Sequence, residues 1–193
     1  MKRGLLIIMS GPSGVGKGTL RQMIMENKEL NLYFSVSLTT RLPRAGEQDG
    51  VDYYFVSEEK FKEDLANGNL LESNYFVSHY YGTPKDKTEE MRNKGVNVLL
   101  EIDVNGARQV MDNCGEDDKP LSFFILPPSL EALEARIRGR RSEPEDVIQE
   151  RLSKAKREMS ESVHYTHSVV NDNLDVAAEE IISFIKKEID KEL

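Results

Sequence analysis

The chain has a single cysteine, Cys114, and three histidines, His79, His164 and His167, among 193 residues. A lone cysteine excludes an internal disulfide and fits a reducing compartment; its plainest role is packing. The histidines are scattered and no Cys-x-x-Cys accompanies them, which excludes the usual zinc patterns. Long apolar runs are missing as well. Nothing approaches the roughly 20 residues needed to cross a bilayer, and Met1-Lys2-Arg3-Gly4 leads into the first apolar run too soon for a cleavable signal peptide. Positive charge is scarce: 26 Lys and Arg stand against 34 Asp and Glu, a net charge of −8. That balance argues against non-specific nucleic-acid binding, which relies on a basic face. Internal repeats and low-complexity tracts are absent. The expected setting is the cytoplasm, with no membrane and no nucleic acid as partner.

What remains is an ordinary globular composition, 38% hydrophobic and 31% charged, of a length that buries one core. Apolar runs with strand character fall at 5–9, 33–38, 96–102, 121–126 and 167–170, with helical patterns between them. Alternating β and α segments predict an α/β fold with a mainly parallel sheet flanked by helices. Pro84 marks a helix start and Gly95 its stop. A last helix over 174–190 is expected to bury Val176, Ile181, Ile185 and Ile189 on one face. Two segments interrupt the alternation. From Ser37 to Pro84 the chain is rich in Tyr, Phe, Gly and polar residues, with a helix near 58–66, and reads as an inserted subdomain. From Pro127 to Arg151 an arginine-rich helical pattern breaks around Gly139 to Pro144, as a lid hinge would.

The most specific stretch is Gly11-Pro12-Ser13-Gly14-Val15-Gly16-Lys17-Gly18-Thr19, which follows the apolar run and opens an amphipathic segment reaching about Glu26. This is the strand, loop and helix order of a P-loop. Its glycines let successive N–H groups face one concavity, Lys17 can reach outer phosphates, and the helix adds its positive end. The implied ligand is a nucleoside triphosphate. Gly18 occupies the position where Ser or Thr usually ligates magnesium, and Thr19 follows. No direct protein ligand for the ion is therefore expected, and Mg2+ would be held by phosphates and water.

An acidic protein that binds anions must concentrate its cations locally, because charges more than about 8 Å apart are largely screened. Arg41 and Arg44 form one cluster around Pro43; Arg136, Arg138, Arg140, Arg141 and Arg151 form another. Two arginines three residues apart can grip one phosphate with forked hydrogen bonds, and the Tyr53 and Tyr81 hydroxyls can complete the grip. Glu72 offers a carboxylate, which accepts two parallel hydrogen bonds. Guanine presents such a donor pair at N1 and N2, whereas adenine does not, so an acid in this pocket would select guanine.

In this order and spacing, GPSGVGKGT, SVSLTTRLPRAGEQDGVDYYF, LLE before HYYGTP, LLEIDVNGA, LEARIRGRRSEPEDVIQERL and VVNDNLD resemble guanylate kinase over essentially the whole chain. The resemblance implies a P-loop fold of one domain: a core of 1–36, 85–127 and 152–193, a GMP-binding subdomain of about 37–84, and a lid of about 128–151. It implies transfer of the γ-phosphoryl group of ATP to GMP, with dGMP left open as a second acceptor and a homo-oligomer left open as the assembly. The whole loop from Gly11 to Thr19, with Asn171, is implied to bind ATP. Arg41, Arg44, Tyr53 and Tyr81 are implied to hold the GMP phosphate, with Glu47 orienting Arg44. Ser37, Glu72 and Thr83 are implied to read guanine, the two hydroxyls donating to O6. Asp103 is left with three roles: a magnesium contact through water, an Arg41 partner or a guanine amino contact. Lys17, Arg41, Arg136, Arg140 and Arg151 are implied to neutralise charge during transfer. Arg141 departs from the family, many of whose members have glycine there. Two rival readings remain at this stage: a non-catalytic interaction module of the same fold, and a kinase of another small phosphate acceptor.

Overall fold

The computed structural model describes residues 2–140 and 144–191, with only the backbone of Arg140. Its elements begin with β1 (Leu6–Ser10), α1 (Lys17–Glu26), β2 (Leu32–Phe34), β3 (Leu38–Thr39), β4 (Tyr54–Phe55), α2 (Glu58–Ala66), β5 (Leu70–Phe76) and β6 (His79–Pro84). They continue with α3 (Lys85–Asn93), β7 (Asn97–Glu101), α4 (Val104–Asn113), β8 (Leu121–Leu126), α5 (Leu130–Arg140), α6 (Glu145–Ser160), β9 (His167–Val170) and α7 (Leu174–Lys191). The result is the expected α/β fold of the P-loop type. Among the described residues no helix is long and apolar enough to cross a membrane.

The chain forms two compact units. The first comprises Leu32–Leu100 and Asn105–Pro120 with the N-terminal stretch up to Leu6. In it β2 runs parallel to β7, and a second sheet has the order β4-β3-β6-β5. Ser57 caps α2 by accepting from the Lys60 N–H at 3.1 Å, and Glu58 and Glu59 occupy its first turn. Pro84 starts α3, and Gly95, just beyond its end, stands at φ +77°. The single run expected at 33–38 is in fact two strands. Its first half pairs with β7 and its second with β6, while Ser35 and Val36 are buried between them.

The second unit comprises Ile7–Asn31, Glu101–Val104 and the chain from Leu121 on. Here β1, β8 and β9 lie side by side and parallel. All five residues of β1 are buried, which explains a continuous apolar run in place of alternation. Leu133 and Ile137 of α5 meet Ile148, Leu152 and Ala155 of α6 in one apolar cluster. Of the break expected around Gly139 to Pro144, α5 still includes Gly139 and Arg140 and α6 begins at Glu145, while residues 141–143 lie outside the described residues. In α7 the buried residues are Ala177, Ala178, Ile181 and Ile185, whereas Val176 is 63% exposed and Ile189 is half-buried. Val176 is five residues from Ile181, about 140° around the helix, so it cannot share that face.

Candidate functional site

The phosphate loop leaves β1 at Ser10 and curls through Gly11, Gly14 and Gly16, all at positive φ (146°, 89° and 102°). Gly16 precedes α1 in the left-handed region, and a Cβ there would lie 2.6 Å from Asn171 Nδ2. The N-terminus of α1 has no side-chain cap and no acid in its first turn. Its leading N–H groups are therefore left to an anionic ligand, which is how such a helix end binds phosphate. The Lys17 ammonium donates to the carbonyls of Gly11 (2.6 Å) and Pro12 (3.1 Å). Burial lowers its pKa, and Glu101, Glu158 and Asp103 oppose that shift. Burial in turn raises the Glu158 carboxyl.

Three further sequence-predicted residues converge on this loop. Arg151 donates to Ser13 Oγ at 2.9 Å. Arg136 donates to the Asn171 carbonyl at 2.9 Å and, at 3.5 Å, to the Val15 carbonyl. Asn171 Nδ2 donates to that same Val15 carbonyl at 2.8 Å. Together Gly14, Gly16, Thr19, Arg136, Asn171 and Asp172 contribute to the lining of a cavity of about 460 Å³. A neighbouring cavity of about 330 Å³ is lined by Lys17, Gly18, Thr19, Arg21 and Glu101, among others. Arg138 instead forms ion pairs with Glu134 and Glu145 at the surface. The Arg140 side chain and Arg141 lie outside the described residues.

The first unit holds the other group of predicted residues. Arg41 donates from both terminal nitrogens to the two oxygens of Glu47, each at 2.9 Å. Glu47 also accepts from the Arg44 backbone N–H at 2.7 Å. This corrects the expected pairing: Glu47 orients the Arg41 side chain and touches Arg44 only through its main chain. The Arg41 hydrogen bond, followed by the Arg44 N–H, holds the Glu47 carboxyl below the usual carboxylate range. The Arg41 guanidinium lies 5.5 Å from the Tyr53 ring centre, and the Tyr53 and Tyr81 rings meet edge-on at 6.0 Å. Arg44 is exposed and Ser37 is half-buried.

Deeper in this unit, Glu72 is only 6% exposed and Thr83 is fully buried. They face each other across β5 and β6, and the Thr83 hydroxyl donates to Glu72 Oε1 at 2.7 Å. A hydroxyl has one proton, so in this structure Thr83 gives to Glu72 the hydrogen bond expected for guanine O6. Sequence reading missed Glu101, which pairs with Arg21 at 3.2 Å beside Lys17. It also missed Gly106 and Gln109 of α4, both of which approach the Glu72 strand. Glu101 and Gly106 sit inside the quoted LLEIDVNGA segment, but nothing local marks them.

Among the described residues no three His, Cys, Asp or Glu side chains are grouped to hold a metal ion. The loop does have Asp103 and Glu101 close enough to influence the Lys17 charge. One or two carboxylates beside a phosphate site are the donor set of a magnesium ion that keeps most of its water.

A glycine-rich loop around an enclosed lysine, between a buried parallel strand and an uncapped helix, defines the class of P-loop nucleotide-binding proteins. The guanylate kinase family profile matches residues 3–188. The guanylate kinase of Lactobacillus acidophilus is 48% identical over 96% of this chain and 90% of its own length. That of Listeria innocua is 44% identical over 97% and 90% respectively. The crystal structure of guanylate kinase from Anaplasma phagocytophilum superposes with a TM-score of 0.78 at 33% identity, covering 97% of this chain and 87% of that one. The chain belongs to the guanylate kinase family.

Proposed function

We propose that this chain is an ATP:GMP phosphotransferase, a nucleoside monophosphate kinase that makes GDP and ADP. The supporting observation is the buried Glu72 carboxylate, braced by Thr83, in the same unit as Arg41 and its tyrosines. An acid held this way suits guanine's N1–H and N2–H2, and a base without that pair would leave it unpaired and buried. Ser37 donates to O6 with Thr83 bracing the acid, and Arg41, Arg44, Tyr53 and Tyr81 hold the phosphate of GMP. Around ATP, Gly11 to Thr19 cradle the phosphates, and Arg136, Asn171 and the adjoining cavity receive the nucleoside side. About 37–84 is the acceptor subdomain and about 128–151 the lid.

The GMP phosphate is already an oxyanion at neutral pH, so no general base is needed. One of its oxygens bonds to the γ-phosphorus, the bond from that phosphorus to the β,γ-bridging oxygen breaks, and ADP leaves with the electron pair. Lys17, Arg136, Arg140 and Arg151 neutralise the spreading charge. Asp103 would help to hold a magnesium ion brought in with the nucleotide, and that ion would supply further neutralisation of phosphate charge. The setting is the cytoplasm and purine nucleotide metabolism. The phosphate loop is intact, which suits a kinase better than an interaction module.

An ADP-release assay with Mg-ATP and, separately, GMP, AMP, CMP and UMP tests this. Turnover with GMP alone is expected. Turnover with another base would overturn the roles of Glu72, Ser37 and Thr83. Silence with all four, from folded protein that binds ATP, would overturn the kinase reading in favour of another acceptor or a binding module.

A further inference from the structure

Helix α4 places two uncharged residues against the Glu72 strand. Gly106 is buried in the first turns of that helix, and a Cβ there would lie 2.5 Å from Glu72 Oε2 and 3.0 Å from Cδ. Three residues on, along the same helical face, Gln109 closes a two-bond ring with the main chain of Ser73. Its Nε2 donates to the Ser73 carbonyl at 2.8 Å, and its Oε1 accepts from the Ser73 N–H at 3.1 Å. Ser73 directly follows Glu72 on β5, the outer strand of its sheet. The amide of Gln109 thus stands in for a missing neighbouring strand at that point. On the opposite side Thr83 holds Oε1. The carboxylate is therefore located from three directions: by a hydroxyl on one oxygen, by a helix without a side chain at the other, and by a clamp on the backbone that carries it.

Glycine inside a helix is unfavourable relative to alanine, so Gly106 has a local cost that needs a compensating reason. The space it leaves is occupied by Glu72 Oε2. We propose that Gly106 and Gln109 are positioning residues that fix where the Glu72 carboxylate stands and thereby set base selectivity. This inference rests on the reading of Glu72 as the guanine acceptor.

The test compares Gly106→Ala, Gln109→Leu, Glu72→Gln and the double variant Gly106→Ala/Glu72→Gln. Rates are measured with GMP and with IMP, which lacks the 2-amino group, at saturating Mg-ATP, and the Tm of each variant is recorded. Alanine favours the helix, which offsets part of the cost of shifting the buried Glu72 carboxylate away from Thr83, so Gly106→Ala should change Tm only modestly. Its KM for GMP should rise roughly tenfold to a hundredfold, the range for a lost hydrogen bond to a charged group. Its KM for ATP should not change, and its preference for GMP over IMP should shrink. Gln109→Leu should move the same quantities less. In the Glu72→Gln background, Gly106→Ala should add almost nothing, because the carboxylate it displaces is already gone. If Gly106→Ala keeps the full GMP preference while Glu72→Gln loses it, the inference fails and the reading of Glu72 stands. If Glu72→Gln itself keeps the preference, the reading fails and takes the inference with it. A lowered Tm with equal losses toward GMP and ATP would make α4 merely structural and overturn the inference.

Discussion

Arg41 keeps its guanidinium on Glu47 by two parallel hydrogen bonds, and Arg41 also lies against Tyr53 and Phe55. A guanidinium has five N–H donors; Glu47 takes two and the Leu42 carbonyl a third at 2.8 Å, which still leaves a donor that can turn to a phosphate. Glu47 therefore acts as a holder. Arg41→Ala is expected to raise the KM for GMP and to lower kcat, since it removes both a ligand and a neutralising charge. Glu47→Ala is expected to raise KM by roughly tenfold, the scale of one lost charge-assisted contact, with a smaller effect on kcat. Initial rates at varied GMP decide the matter, and a lowered KM in Glu47→Ala would mean that Glu47 competes with the phosphate. At this scale the sequence was most legible where chemistry is local. Gly11 to Thr19 and the Arg41-to-Glu47 segment are each short enough for spacing alone to speak. The choice of Arg41 over Arg44 as the partner of Glu47 depends on how a turn folds, which spacing does not encode. Gly106 and Gln109 were illegible for another reason. Gln109 meets Ser73 across 36 positions, and Gly106 matters through the side chain it lacks.

Helix α5 carries side chains of very different weight only one position apart. Ile137 is almost fully buried in the cluster with Ile148 and Leu152, whereas Arg138 is an exposed partner of Glu134 and Glu145. Ile137→Ala should destabilise the protein by about 2–5 kcal/mol, the cost of a large-to-small change in a packed core. Arg138→Ala should leave Tm and turnover at wild-type values, because exposed ion pairs are screened and entropically costly. Denaturant melts of the two variants check this, and a comparable loss in both would refute it. Elements were legible wherever hydrophobic period and a start or stop residue coincided, as at Pro84 and Gly95. Val176 shows the limit: it is apolar and close in sequence to Ile181, yet the helical period turns it onto an exposed face. Another element-level expectation concerns β9 and α7. His167 stacks on Phe184 at 3.7 Å, and burial lowers its pKa from 6.5, with Glu188, Lys191, Glu180 and Lys187 adding opposed smaller effects. Between the lowered value and 6.5 the unfolded chain binds more protons than the folded one, so stability is full above pH 6.5 and falls as pH drops through the folded pKa. Tm measured against pH should show this acid-side loss in the wild type, and His167→Phe should lack it. Equal slopes in both proteins would dismiss His167 as the source.

On the scale of the whole molecule, a chain of net charge −8 must bind anionic nucleotides through local cations. Those cations fall in separate compact units. Lys17, Arg136 and Arg151 belong to one, and Arg41 and Arg44 to the other. If each group serves one ligand, ligand stabilisation should be separable by mutation. A ligand at 100 times its Kd stabilises the native state by about 2.7 kcal/mol. For a chain of this size that corresponds to a Tm rise of roughly 5–11 °C, at about 2–4 °C per kcal/mol. Wild-type protein should show such a rise with Mg-ATP alone and with GMP alone. Lys17→Met should lose turnover, by roughly a hundredfold or more in kcat for one removed electrostatic contact, yet keep the rise with GMP. Glu72→Gln should keep the rise with Mg-ATP and lose most of the rise with GMP. Near-normal turnover in Lys17→Met would remove that lysine from the mechanism. If Lys17→Met also abolished stabilisation by GMP, the assignment of one ligand to each group would be wrong, because a binding group confined to one unit cannot supply the other's ligand energy without coupling between them. Retention of both rises in both variants would place guanine recognition away from Glu72.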